Sequence, residues 1–396
     1  MDYDELKKIE DETAQGKTAK GESTPAGRMT LRDRFRRTMF FQKVDRIPNF
    51  EFGYWQETLP NWHEQGLPKE IDDEGKAYEY FGIEGWHTIG GNLGLLPDFK
   101  RETIREDDEH LVYRECDGTI CEINKKGYKS IPHYLEFPVK DRATWKEFKR
   151  RLDPNDPARV PANLKEMAEQ YLNRDFPLGI WFGSMAGVPR NWIGFENIAM
   201  MCYDDPDLLE EIVETLCQIS CNVLSRMLPE IEFDFGCGWE DICFNSGPII
   251  SPSIYERIIL PRYKRITDLL HKHGVFVNWT DCDGNLMPIL DIFLKGGINC
   301  MFPIEVRGGS DPVAMRAIYG DRLLLQGGVC KMALLSGPKA IEAELKRLEP
   351  EVRRGGFIPH VDHRVPADVT LENYKFYLKL KRQMFNAGYK EPQYKE

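Results

Sequence analysis

Seven short stretches of the chain set carboxylates, imidazoles and large aromatic rings at the end of an apolar run. They read Glu51-Phe52-Gly53-Tyr54-Trp55, Trp181-Phe182-Gly183-Ser184, Trp239-Glu240-Asp241, Asn278-Trp279-Thr280-Asp281-Cys282-Asp283, Phe302-Pro303-Ile304-Glu305, Gln326-Gly327-Gly328 and His360-Val361-Asp362-His363. Glu240, Asp281, Asp283 and His363 form a set able to bind zinc through oxygen and nitrogen, with one position left open for a substrate oxygen. Without a metal, His363 can act as a general acid. Two plainer roles compete with these: acids at strand ends cap the helix that follows, and His363 can hydrogen-bond the backbone. Tyr54, Trp55, Trp181 and Trp239, with Asn278, suit the binding of a flat ring or a methylammonium head. Core packing is the plainer role for the same rings.

Chemistry spread over seven stretches needs a scaffold that brings them to one mouth. Thr30 is placed to cap a helix through Arg32–Lys43, and Arg46–Phe52 reads as a first strand. From about Asp175 strands and helices alternate. Strand-like runs are Pro177–Phe182, Phe233–Trp239, Val275–Thr280, Cys300–Ile304, Leu323–Gln326 and Phe357–Val361. Helical runs begin at Asp205-Pro206 and Ser251-Pro252, and further ones span Leu286–Leu294, Pro338–Arg354 and Leu371–Phe385. Strands separated by helices imply βαβ units and a parallel sheet. With ~8 such units, a (β/α)8 TIM barrel is the economical fold, and its chemistry sits at the strand C-termini. Residues 98–137 turn β-rich around Asp117-Gly118 and read as an insertion. The expected organisation is a flexible tail over 1–27 and a single barrel domain over 28–390, with an N-terminal helical extension.

Composition narrows the function classes. With 64 acidic against 53 basic residues, the net charge of −11 disfavours nucleic acid as the partner. No apolar run approaches ~18 residues, so no membrane span is expected, and the polar N-terminus lacks a secretion-signal core. The ten cysteines form no CxxC pair, which points to reduced thiols in the cytoplasm. Cys217 and Cys221 read as helix packing. No GxGxxG or GxxxxGK turn supports a nucleotide fold.

A resemblance emerges from an ordered set of motifs. Gly247-Pro248, Ile250-Ser251-Pro252, Pro261, His273-Gly274 and Asp283-Gly284-Asn285 are followed by Gly328-Val329-Cys330-Lys331, Leu334 and Gly355-Gly356-Phe357-Ile358-Pro359. Then come Asp362-His363-Arg364-Val365-Pro366-Ala367-Asp368 and Leu371-Glu372-Asn373-Tyr374. The set resembles the uroporphyrinogen decarboxylase superfamily over residues 28–385. That superfamily joins porphyrin decarboxylases to corrinoid-linked methyltransferases. The decarboxylases clamp substrate carboxylates with an arginine-rich run after the first strand, where this chain has Phe52-Gly53-Tyr54-Trp55-Gln56-Glu57-Thr58 and no arginine. The coenzyme M-methylating members hold zinc with a His-x-Cys-Gly motif and a later cysteine. By position Asp281 replaces that histidine, Asp283 the first cysteine, and His363 falls at the second.

The resemblance therefore implies an O-demethylase-type methyltransferase, moving a methyl group from a small methylated compound, a methoxylated aromatic, to the cobalt of a corrinoid carried by a partner protein. His363, Glu240 and Asp281 would be catalytic, with zinc as the expected metal. A decarboxylase-type lyase acting on a small carboxylic acid and a non-catalytic binding barrel stay as alternatives. A homodimer stays open.

Overall fold

The computed structural model describes residues 29–126 and 132–385; the expected tail over 1–27 and the domain's last residues lie outside these. The chain divides into two compact units, Met1–His87 with Asn173–Leu178 and Asn299–Glu396, and Thr88–Leu172 with Gly179–Ile298. No helix among the described residues is long and apolar enough to cross a membrane.

In the first unit, Thr30 opens the helix Leu31–Met39 with a reciprocal capping box, its hydroxyl accepting from the Asp33 N–H while Asp33 reaches back to the Thr30 N–H. Strands Cys300–Phe302, Leu324–Val329 and Phe357–Val361 lie parallel, with Met301 beside Leu325, Gln326 beside Ile358 and Gly328 beside His360. Parallel strands need long crossovers, here the helices Pro312–Tyr319 and Pro338–Arg354. Ile341, Leu345, Leu348 and Val352 recur at helical spacing along the second, and all four are buried.

The expected first strand is corrected. Residues 46–52 carry no strand ladder. Side chains anchor them instead. The buried Glu51 carboxylate takes the Lys381 Nζ at 2.5 Å and the Tyr377 hydroxyl at 2.8 Å, and Lys381 also donates to the Phe50 carbonyl at 2.9 Å. Past this segment, a single bridge pairs Tyr54 with Val365. The C-terminal helix Leu371–Phe385 thus does the holding that sheet hydrogen bonds would otherwise do.

Strands His87–Ile89, Leu178–Gly183, Phe235–Trp239 and Asn278–Asp281 lie side by side in that order, almost wholly in the second unit, and the last three are parallel. Their register sets Ile180 against Gly236, Cys237 against Trp279 and Trp239 against Asp281. Asp205 caps the helix Pro206–Met227, whose stripe from Leu208 to Leu224 is buried. The second long helical run is not uniform. It opens at Ser251, widens to a π turn over Tyr255–Ile259, and resumes as Leu260–Lys272. Pro261 cannot donate to a carbonyl one turn back, and the wider turn accommodates it.

The insertion is an antiparallel sheet of Glu102–Glu106, His110–Arg114, Ile120–Asn124 and His133–Glu136. Asp117 accepts from the Thr119 N–H at 2.9 Å, and Gly118 takes φ +92° in the turn the sequence placed there. All ten cysteines are free thiols, and Cys217 and Cys221 pack on one helix face with sulfurs 3.9 Å apart.

Candidate functional site

The strand Phe357–Val361 of the first unit runs into Asp362-His363-Arg364, and each of these three side chains fixes a different neighbour. Asp362 is fully buried and accepts from the Lys331 N–H at 2.8 Å and the Val306 N–H at 3.0 Å, tying two loops to the strand end. Burial pushes its carboxyl up to about 6. Beside it, Lys331 pairs with Glu305 at 2.5 Å.

His363 stacks on Trp55, with centroids 5.1 Å apart and planes inclined by 11°, and meets the Phe52 ring edge-on at 5.8 Å. Its Nδ1 accepts the Arg364 backbone N–H at 2.8 Å. A neutral imidazole has one lone pair and one N–H, so the proton resides on Nε2. In this state Nε2 is a donor and has no lone pair for a metal.

Arg364 lies over Phe52, 5.6 Å from its centroid, and donates to the Tyr54 carbonyl at 2.9 Å and to Glu74 at 2.7 Å. Glu74 also accepts from the Tyr54 N–H at 3.3 Å. It reaches there because residue 53 is glycine, at φ +101°, where a Cβ would lie 2.2 Å from the Glu74 Oε2. The result is a half-buried aromatic shelf of Phe52, Trp55 and His363 with one N–H donor, braced by an arginine whose charge is already met.

In the second unit strand parity decides which side chains share a face. Asn278 donates toward Val275 and contacts His271 of the helix Leu260–Lys272, and a Cβ on Gly236 would meet Leu270 of the same helix. Residues 236, 238, 240, 278 and 280 therefore face the helices. Trp181, Trp239, Trp279 and Asp281 take the opposite face. Asn278 is thus placed as a buried strut between sheet and helix.

Glu240 lies on the same helix-facing side. It is fully buried and accepts from the backbone N–H groups of Met185 (2.8 Å), Ala186 (2.8 Å) and Gly187 (2.7 Å), and from the Tyr263 hydroxyl. Burial pushes it up to about 7, against those hydrogen bonds. It caps the helix Gly187–Ile193, and a Cβ on Gly187 would sit 2.2 Å from the Glu240 carbonyl. With both oxygens taken, it offers a metal nothing.

Asp281 is partly exposed on the Trp239 face, and Asp283 follows the strand end. Among the described residues no three His, Cys, Asp or Glu side chains are grouped so as to hold a metal ion. The zinc set of Glu240, Asp281, Asp283 and His363 does not fit: Glu240 is spent on a helix cap and His363 presents a proton.

Tyr54 is buried among Trp62, Phe81 and Tyr374, its hydroxyl 3.0 Å from that of Tyr374. Sequence reasoning missed Phe52 and Arg364, and also Arg190, which lies 5.1 Å from the Trp239 ring and pairs with Asp241 at 3.3 Å. Arg364 was visible as the residue after His363. Arg190 sits on a helix and left no such signal.

Comparison with known proteins fits this frame. The pattern of the family described as Uroporphyrinogen decarboxylase (URO-D) matches residues 123–384. A uroporphyrinogen decarboxylase of Pseudomonas aeruginosa (strain LESB58) is 24% identical over 185 residues, 44% of this chain and 48% of that protein. One of Geobacter sulfurreducens is 23% identical over 187 residues, 45% of this chain and 49% of that protein. The chain spans about half the length of these curated relatives. A methyltransferase from Methanosarcina mazei superposes with a TM-score of 0.56 at 16% identity, covering 90% of this chain and 99% of that one. The fold is accordingly α/β of the TIM-barrel class, with the segment 46–52 outside the sheet. The chain belongs to the uroporphyrinogen decarboxylase (URO-D) family.

Proposed function

We propose that this protein is a methyltransferase that removes a methyl group from a small methoxylated aromatic compound and passes it to the cobalt of a corrinoid held by a partner protein. The observation that carries this reading is the Phe52–Trp55–His363 shelf, a half-buried aromatic surface where a porphyrin decarboxylase needs arginines. The arginine beside the shelf, Arg364, is neutralised by Glu74 and the Tyr54 carbonyl, so a polycarboxylate gains little from it. The likeness to the M. mazei methyltransferase supports the same branch.

An aryl methyl ether is inert because its leaving group is a poor one. A cobalt(I) corrinoid supplies the nucleophile for the methyl carbon. The residues of this chain supply the other half of the reaction. Phe52 and Trp55 hold the ring, and the His363 Nε2–H faces the ether oxygen, where negative charge grows as the carbon–oxygen bond breaks. A neutral imidazole stabilises that phenoxide by a hydrogen bond, and solvent protonates it on release. No metal is assigned a step.

The test is turnover of methoxylated rings and methylamines with a cobalt(I) corrinoid protein, followed by its visible spectrum. Loss of the cobalt(I) band with a methoxylated ring, and release of the matching phenol, is the expected result. No demethylation of any ring, together with carbon dioxide release from a carboxylic acid, would overturn the reading in favour of a lyase.

A further inference from the structure

Two buried hydrogen-bond acceptors lie on neighbouring strands of the first unit and have no role in the shelf. His360 and Gln326 are both 0% exposed. The His360 Nδ1 faces the Val361 carbonyl at 2.8 Å. A carbonyl only accepts, so Nδ1 carries the proton and Nε2 presents a lone pair. Among the described residues that Nε2 has no hydrogen-bond partner, and neither does the Oε1 of Gln326, whose amide nitrogen is directed to the Cys300 sulfur at 3.7 Å. Burial drives the His360 imidazole down to about 3, which keeps it neutral.

Register puts the two groups on one face. Gln326 pairs with Ile358, and His360 lies two residues further along the same strand. Side chains two apart on a strand share a face, so the Cα atoms of Gln326 and His360 are separated by about 8 Å. The face is aromatic. Phe302 lies 5.5 Å from the His360 ring, and Phe52 lies 4.6 Å from Phe302 and 6.5 Å from His360. Phe52 is the same ring that meets His363 at 5.8 Å. One phenyl group therefore joins the donor of the shelf to the acceptors behind it.

We propose that the His360 Nε2 and the Gln326 Oε1 form the inner end of the ligand site and select a ring whose buried end carries an uncharged hydrogen-bond donor, a hydroxyl or an amino group. This rests on the reading of the shelf as the seat of a methoxylated ring. Burying two acceptors without partners is costly, and a ligand donor recovers that cost, whereas a bare C–H does not. A carboxylate brings only further lone pairs and is repelled. An ether at the same end is refused for the same reason, so polarity orients the ring: its donor goes inward and its methoxy group stays at His363.

The experiment measures binding by calorimetry, with no corrinoid present, of five probes: methoxybenzene, 3-methoxyphenol, 3-methoxyaniline, 1,3-dimethoxybenzene and 3-methoxybenzoate. The wild-type protein is expected to bind the phenol and the aniline about 10- to 100-fold more tightly than methoxybenzene, and the other two no better than methoxybenzene. In Gln326→Leu and His360→Phe the preference for the phenol and the aniline over methoxybenzene should fall below about threefold. Equal affinity for phenol and methoxybenzene in the wild type, or binding of none of the probes, overturns the proposal. So does a preference that survives both substitutions, which would leave the acceptors to a structural water. If a variant does not fold by circular dichroism, the wild-type ranking decides alone. A clear donor preference without demethylation would keep this inference and sink the methyltransferase reading; demethylation without the preference would do the reverse.

Discussion

The indole of Trp55 lies nearly parallel to the imidazole of His363, with centroids 5.1 Å apart and planes inclined by 11°. The stack and the hydrogen bond from the Arg364 N–H to Nδ1 act together. A ring flip would set a C–H against that N–H, so the bond selects one orientation and the indole holds it. The Nε2–H is thereby preorganised, which is what a donor needs if it is to stabilise charge without reorganising first.

His363→Phe keeps an aromatic ring on Trp55 and removes only the donor. It should lower kcat for demethylation by about 100- to 1000-fold, with KM changed less than about threefold, the pattern of an interaction made in the transition state. Trp55→Ala should instead raise KM as well, because it removes a ligand face. Steady-state kinetics on both variants separates the roles. Equal effects on KM and kcat in His363→Phe would mean that the imidazole binds the ring and does not assist its departure.

Metal dependence follows from the same tautomer. Dialysis against a chelator should leave the melting temperature and demethylation rate unchanged, and elemental analysis should find zinc well below one per chain. A full equivalent of zinc that disappears in His363→Ala would show that the imidazole turns its Nε2 lone pair to a metal in solution.

Proton linkage gives a third expectation. Glu240 rises from its ordinary 4.5 to about 7 and Asp362 from 3.8 to about 6, in both cases by burial. Each group therefore binds its proton more tightly in the folded chain than in the unfolded one. Their stabilising contribution is complete below about pH 4 and is lost as pH rises through 6 and then 7. Urea unfolding should show stability from these groups falling between about pH 4 and 7 by on the order of a few kcal/mol. The slope should shrink in Asp362→Asn. An identical slope in the variant would place the titration elsewhere.

How far the sequence reached is visible in these residues. Caps at Thr30 and Asp205-Pro206, the helix stripes and the turn at Asp117-Gly118 are local, and each could be read from a few neighbouring positions. The acids at strand ends were harder. Trp239, Glu240 and Asp241 were read together as facing a mouth, yet alternation along a strand sends Glu240 to the helix side with Gly236 and Gly238. Parity was available in the sequence once the strand was placed. The His363 tautomer was not, because it depends on where one backbone N–H points. Nor was the hold on the segment 46–52, since Glu51 and Lys381 are 330 positions apart.

That last pair carries the final prediction. Glu51 and Lys381 have side-chain exposures of 0% and 1%, and they meet at 2.5 Å. Two charges taken out of water cost several kcal/mol each, and their attraction only about offsets this, so the pair is sensitive to losing one member. Lys381→Met should destabilise the protein by about 3–5 kcal/mol, because it strands the Glu51 carboxylate with only the Tyr377 hydroxyl and the Val361 N–H as donors. Glu51→Gln combined with Lys381→Met removes both charges and should recover most of that loss. Urea midpoints of the three proteins decide the matter. A double variant no more stable than Lys381→Met would mean that Lys381 acts chiefly by donating to the Phe50 carbonyl, fixing the backbone just ahead of Phe52 and the shelf.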